Sequence, residues 1–137
     1  MMKTKEEDHS SFVGLIVRDA DLMLGFYQNV LGMKLDSTDD ADEGLTKYYL
    51  SFPGGRLKLF AFDNPPELTK VTRTSFSDTT GYRLQTYLVT NMTELFESLE
   101  KHGARITSPP QPTGTEGYSW MVIMDPEGNL IEFAGTG

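Results

Sequence analysis

Residues 12–60 and 84–133 of this 137-residue chain run through the same succession of patterns. Each copy opens on an apolar stretch that ends in a helix-starting residue: F12-VGLIVRD with Asp19, and L84-QTYLVTN with Asn91. A helical stretch follows, closing on V30-LGMKL in one copy and K101-HGARI in the other. Each copy then ends on a matching segment, F52-PGGRLKLF and D125-PEGNLIEF, with proline, glycine, leucine and phenylalanine at the same places. Two small sheets built from such a duplicated unit can stand side by side and curl round a shared cleft. The cleft is where function is expected.

Within each copy the patterns dictate local structure. The strand near 12–18 is rich in Val, Ile and Leu, as pleated and half-buried segments are. Asp19 suits an N-cap, where its carboxylate accepts from an otherwise orphaned amide. Leu22, Met23, Phe26, Tyr27, Val30 and Leu31 then recur at the spacing of one apolar helical stripe, and Gly32 ends it. In the second copy Asn91 is the expected cap, with Glu94 at capping-box spacing. Leu95, Phe96, Leu99 and His102 line the inner side, and Gly103 stops the helix. Further strands are expected near 33–37, 46–52 and 56–62, and near 104–107, 118–124 and 129–134. Pro53-Gly54-Gly55 and Pro126-Glu127-Gly128 read as the turns between the last two strands of each copy. The order βαβββ, twice, defines an α+β fold: two tandem modules forming a curved mixed sheet around a central cleft, one helix outside each sheet. The expected organisation is a polar tail at 1–10, a first module at 11–62, a linker loop at 63–82 and a second module at 83–137, in one compact domain. The segment 108–117 reads as a second loop, and the acidic stretch D36-STDDADEG as a solvated connector.

Composition narrows the partners. Twelve Lys and Arg against twenty Asp and Glu give a net charge of −8, which disfavours nucleic acid, because phosphate binding requires clustered cations. The same charge favours a cationic ligand by long-range attraction, or serves only solubility. No apolar run approaches the roughly 20 residues of a membrane span. The opening residues lack the apolar core of a secretory signal. The chain has no cysteine, which removes disulfides, thiolate metal sites and a cysteine nucleophile. A cytoplasmic location is expected.

The strand F12-VGLIVRD, the helix segment F26-YQNVLGMKL and the closing D125-PEGNLIEF resemble the vicinal oxygen chelate superfamily, which includes glyoxalase I, ring-cleaving dioxygenases, methylmalonyl-CoA epimerase and bleomycin-resistance proteins. With the repeat, the resemblance spans nearly all of residues 12–134. It implies a metal centre to which each module gives two ligands, one from the start of its first strand and one from its last. Such a metal acts as a Lewis acid on substrate oxygens and needs His, Glu or Gln donors. The matching positions here hold Phe12, Leu59, Leu84 and Glu132, three of which cannot bind a metal. A one-residue slip in a strand exchanges its faces. It would offer Gln85 in the second module, Ser11 or Val13 in the first, and Lys58 or Phe60 in place of Leu59. No register yields a full ligand set, and the two histidines, His9 and His102, lie in the tail and at a helix C-terminus. His102 reads as a residue stabilised by the helix dipole. No cofactor is expected. A divalent ion (Zn, Ni, Mn or Fe) belongs only to an alternative reading, a glyoxalase-type lyase, isomerase or epimerase using Glu132 as base or metal ligand.

The candidate ligand-binding residues are Phe12, Gly14, Leu59, Leu84, Thr86, Trp120 and Glu132, with Glu132 also the candidate catalytic residue. Glu132 lies in an otherwise apolar strand. Facing a cleft it would be a base or a partner for a cation; otherwise it is an inherited carboxylate hydrogen-bonded within the fold. Trp120 could stack on a flat or cationic ligand, or pack in the core. Parity is open for Tyr118 with Trp120, and between Tyr48 and Tyr49. If the candidate positions face inward, so do Ile16, Leu57, Leu88 and Leu130, giving a mostly apolar wall with Thr86 and Glu132 as its polar points. No Ser-His-Asp set can be assembled. The expected function is binding of a small organic molecule, cationic or aromatic, without the family metal. The bleomycin-resistance proteins it resembles sequester a drug in this way and are commonly homodimers, so a homodimer is implied by the resemblance.

Overall fold

A computed structural model describes residues 1–3, 11–68, 77 and 79–137. The chain divides into two compact units, Met1–Leu68 and Thr69–Gly137. The tail from residue 4 to residue 10, with His9, lies outside the described residues, as do 69–76 and 78 of the linker.

The first half contains β1 (Val13–Val17), α1 (Ala20–Gly25), a π-helical turn (Phe26–Val30), β2 (Lys34–Asp39), β3 (Leu45–Phe52) and β4 (Gly55–Phe62). Its sheet has the order β1-β4-β3-β2, with β1 parallel to β4 and the other pairs antiparallel. Asp19 caps α1 as expected, its Oδ1 accepting from Leu22 N at 3.0 Å. The helix does not stay regular along its apolar stripe. Leu31 N reaches back five residues to Phe26 O at 3.1 Å, and Met33 N closes onto Tyr27 O at 2.9 Å round Gly32, whose φ of 77° suits glycine. Met23, Phe26, Tyr27 and Met33 are buried, as are Val17, Leu50, Leu57 and Leu59 of the sheet. These supply the core of this half.

The second half repeats the plan with β5 (Leu84–Val89), α2 (Met92–Lys101), β6 (Arg105–Pro112), β7 (Ser119–Met124) and β8 (Leu130–Gly135), in the order β5-β8-β7-β6. Here β5 runs parallel to β8, and α2 packs on β6 and β8. Its core is Tyr87, Met92, Leu99, Met121, Ile123, Ile131 and Phe133. Both halves are therefore βαβββ modules of an α+β fold.

Three expectations are corrected. Asn91 makes no side-chain cap: the first amides of α2 are taken by backbone, Met92 N by Thr136 O at 3.0 Å and Thr93 N by Gly137 O at 2.7 Å. That return is possible because Gly135, at φ 151°, carries no Cβ, which would overlap the Val89 carbonyl oxygen. The segment expected as a loop from residue 108 belongs to β6 as far as Pro112. An edge strand tolerates Pro109, Pro110 and Pro112 because its outer side needs no N–H, and the register shifts along it fit that irregularity. The acidic connector likewise begins inside β2, where Asp39 pairs with Lys47. Asp42 then meets Lys47 at 2.8 Å.

Candidate functional site

The register of each sheet decides which side chains share a face, because directly paired residues point the same way. In the second half Thr86 pairs with Glu132, Val122 with Glu132, and Trp120 with Ala134. Thr86, Trp120 and Glu132 thus lie on one face, with Leu84, Leu88 and Leu130. The opposite face carries Tyr87, Met121, Ile123, Ile131 and Phe133, all buried. Glu132 is half-buried, and its Oε1 accepts from Thr86 Oγ1 at 2.9 Å. Trp120 is half-buried on this more open face, Leu88 is 85% exposed, and Tyr118 stands exposed just before β7.

The closing strand is placed by its turn. Asp125 is fully buried, and its Oδ1 accepts from Glu127 N at 3.0 Å and Asn129 N at 2.9 Å. Its Oδ2 accepts from Asn129 Nδ2 at 2.8 Å. The D-P-E-G-N run is thus a hydrogen-bonded loop between Met124 and Leu130, which pair directly. The loop fixes the parity of Glu132.

In the first half the corresponding turn is shorter. Phe52 pairs with Gly55, leaving only Pro53-Gly54 between β3 and β4. Phe52 is therefore still strand, whereas its sequence counterpart Asp125 has already entered the loop. Gly14, the counterpart of Thr86, pairs with Lys58. The residue equivalent to Glu132 is Lys58, not Leu59, and the one-residue offset exchanges the faces. Leu57 and Leu59 are 1% and 0% exposed and belong to the core face with Tyr48 and Leu50. They do not share a face with Gly14 and Ile16, as the repeat alone would have it.

The open face of the first half carries Gly14, Ile16, Asp39, Lys47, Tyr49, Arg56, Lys58 and Phe60, with Phe12 against it. The Phe12 ring meets Tyr49 edge-on, centroids 5.7 Å apart, and Arg56 lies 4.2 Å above the Phe12 centroid. Lys58 Nζ lies 5.3 Å from the Tyr49 centroid and 4.8 Å from that of Phe60. Phe60 leans over Gly14, where an added Cβ would stand 3.1 Å from the ring. Lys47 is engaged with Asp42: hydrogen bond and charge hold the Asp42 carboxyl below its ordinary value, while the hydrogen bond to Asp42 leads in raising the Lys47 ammonium.

The resemblance implies a metal, and the side chains at its ligand positions decide whether one is held. The first half brings Phe12 and Lys58, neither a donor to a divalent ion; the second brings Leu84 and Glu132, a single carboxylate. That set does not fit a divalent cation, which requires several oxygen or nitrogen ligands. Among the described residues no group of three or more His, Cys, Asp or Glu stands together. Gln85, the alternative donor, is turned to the buried side, where it accepts from Tyr87 Oη at 2.7 Å. His102 is occupied at the end of α2, its Nδ1 2.8 Å from Ser98 O.

From sequence Lys58 was weighed only as a slipped-register alternative to Leu59 and set aside as no metal donor, and Arg56 and the structural part played by Asp125 were overlooked. A signal existed for the first two. R56-LKLFAF alternates cation and leucine with period two, so the leucines claim the core and the cations the open face. The stronger visual match of the two P-x-G turns concealed it.

The duplicated βαβββ order and the paired parallel strands define a recognised class. The chain belongs to the Glyoxalase/Bleomycin resistance protein/Dioxygenase superfamily, whose profile matches residues 9–133. It is 27% identical over 133 residues to the protein YwbC of Bacillus subtilis (strain 168), covering 94% of this chain and 96% of that one. In structure it is similar to the glyoxalase family protein from Enterococcus faecalis, with TM-score 0.71 and 21% identity over 95% of this chain and 97% of the other. It is also similar to the trypanothione-dependent glyoxalase I of Leishmania major, with TM-score 0.67 and 24% identity over 90% and 84%. No helix among the described residues is long and apolar enough to cross a membrane.

Proposed function

We propose that this superfamily member binds a small organic molecule on a half-open sheet face, without a catalytic metal, and works as a homodimer in the cytoplasm. The observation that carries the reading is the donor set: the positions at which the resemblance implies metal ligands hold Phe12, Leu84 and Glu132, with Lys58 in place of Leu59 once the register is followed. What these positions do provide is apolar and aromatic wall with a few polar points, the composition of a binding surface. Exposed Phe12 and Ile16 on the open face of the first half support the same reading, since apolar side chains grouped on one side of a sheet mark a surface that is covered in use. Native mass spectrometry on protein purified without chelator is expected to show no stoichiometric metal. A one-to-one divalent ion would overturn the metal-free reading.

One observation favours a second reading. The Thr86 hydrogen bond fixes one oxygen of Glu132 and leaves the other to face a ligand, as a general base requires. Under that reading the chain is a glyoxalase-type lyase, isomerase or epimerase. Turnover of the methylglyoxal–glutathione hemithioacetal on adding nickel, zinc or manganese, abolished in Glu132→Gln, would establish it. No gain over the metal-free protein removes it.

A further inference from the structure

We propose that the open face of the first half seats a small organic anion with an apolar body, and that the Lys58 ammonium is its principal contact. The inference rests on the ligand-binding reading above and names the chemistry of the ligand. Lys58 occupies the strand position equivalent to Glu132, pairing with Gly14 as Glu132 pairs with Thr86. One half therefore presents a cation where the other presents an anion.

Three other cations of this acidic chain each lie beside a carboxylate: Arg18 with Glu67 at 3.9 Å, Lys34 with Asp36 at 4.0 Å and Lys47 with Asp42 at 2.8 Å. Lys58 forms no ion pair among the described residues. It is held by the rings of Tyr49 and Phe60 instead. A ring face orients an ammonium without neutralising it, so the N–H donors of Lys58 remain available to an incoming anion. Arg56 stands over the Phe12 ring on the same face. Phe12 and Ile16, 40% and 59% exposed, provide apolar surface for the body of the ligand. Partial burial of Lys58 limits solvent screening, which strengthens a charge-assisted contact relative to one at a fully exposed lysine.

The test is a titration of the full chain with 2-naphthoate, 2-naphthylphosphonate, neutral 2-naphthamide and cationic 2-naphthylmethylamine, followed by amide NMR shifts. The expected result is binding of one or both anions, with shifts at Gly14, Lys58 and Phe60, at least about tenfold tighter than the neutral amide and weakened by added salt. Lys58→Met is expected to lose about tenfold or more of that affinity, Lys58→Arg to restore most of it, and Lys101→Met, on the exposed end of α2, to change nothing. An unaltered spectrum elsewhere in Lys58→Met shows that the fold is intact. Equal affinity for anion and amide, or an anion affinity indifferent to Lys58→Met, overturns this inference and leaves the ligand-binding reading standing. If no naphthyl compound binds this face, charged or neutral, the ligand-binding reading of the face falls as well.

Discussion

Asp125 and Tyr87 show how individual residues hold the second half in register. The Asp125 carboxylate is wholly enclosed and satisfies two backbone amides and the Asn129 side chain. Asp125→Ala leaves those donors without their acceptor, at a cost of roughly 2–4 kcal/mol. Urea denaturation followed by circular dichroism should show that loss, and an unchanged midpoint would refute the role assigned to the loop. Tyr87 stacks on Phe133 with centroids 5.7 Å apart. Burial first, and the negative charge of Asp125 second, push its phenol above the ordinary value of 10.0. A folded-state value raised above the unfolded one means that the native state keeps its proton longer. The contribution is therefore intact below about pH 10 and is lost as pH rises beyond it, where the unfolded phenol ionises and the folded one does not. Stability measured between about pH 8 and about pH 11 should fall more steeply in the natural chain than in Tyr87→Phe.

At the level of elements, the two helices begin alike in sequence and differently in structure. Asp19 caps α1 with its side chain, so Asp19→Ala should cost about 1 kcal/mol in thermal or urea unfolding. Asn91→Ala should cost no more than a few tenths, because the Thr136 and Gly137 carbonyls already hold the first amides of α2. Comparable losses at the two sites would contradict that distinction. The order of strands and helices was legible because apolar periodicity and glycine stops are local signals, as at Leu22, Phe26 and Gly32. The cap of α2 was not, since it depends on chain more than forty residues away in sequence returning to meet Met92. Nor was the length of β6, because the prolines at 109, 110 and 112 look like a loop until an edge position excuses them. At the candidate site, Thr86 and Glu132 were grouped by period two within the second copy, whereas the parity of Trp120 stayed open until the β7–β8 register placed it on their face. Leu59 was misplaced because the two turns were read as equal in length.

For the molecule as a whole, the duplicated plan yields two halves with unlike open faces. One bears Lys58 and Arg56 among aromatic rings, the other Glu132 and Thr86 beside Trp120. Leu88, on the open face of the second half, is 85% exposed. Covering such side chains by a second copy is what the proposed dimer requires, and sedimentation equilibrium should return twice the 15.3 kDa chain mass. A monomer at micromolar concentration would refute it. The hairpin that joins β3 to β4 has a broader meaning. Because its two-residue turn helps set whether lysine or leucine looks outward, together with the alternating pattern of β4, an ancestral insertion or deletion at that point could swap an entire row of side chains in one event. Descendants of a doubled gene would then acquire new chemistry on an old scaffold by changing the spacing of a bend, with no codon in the strand itself rewritten.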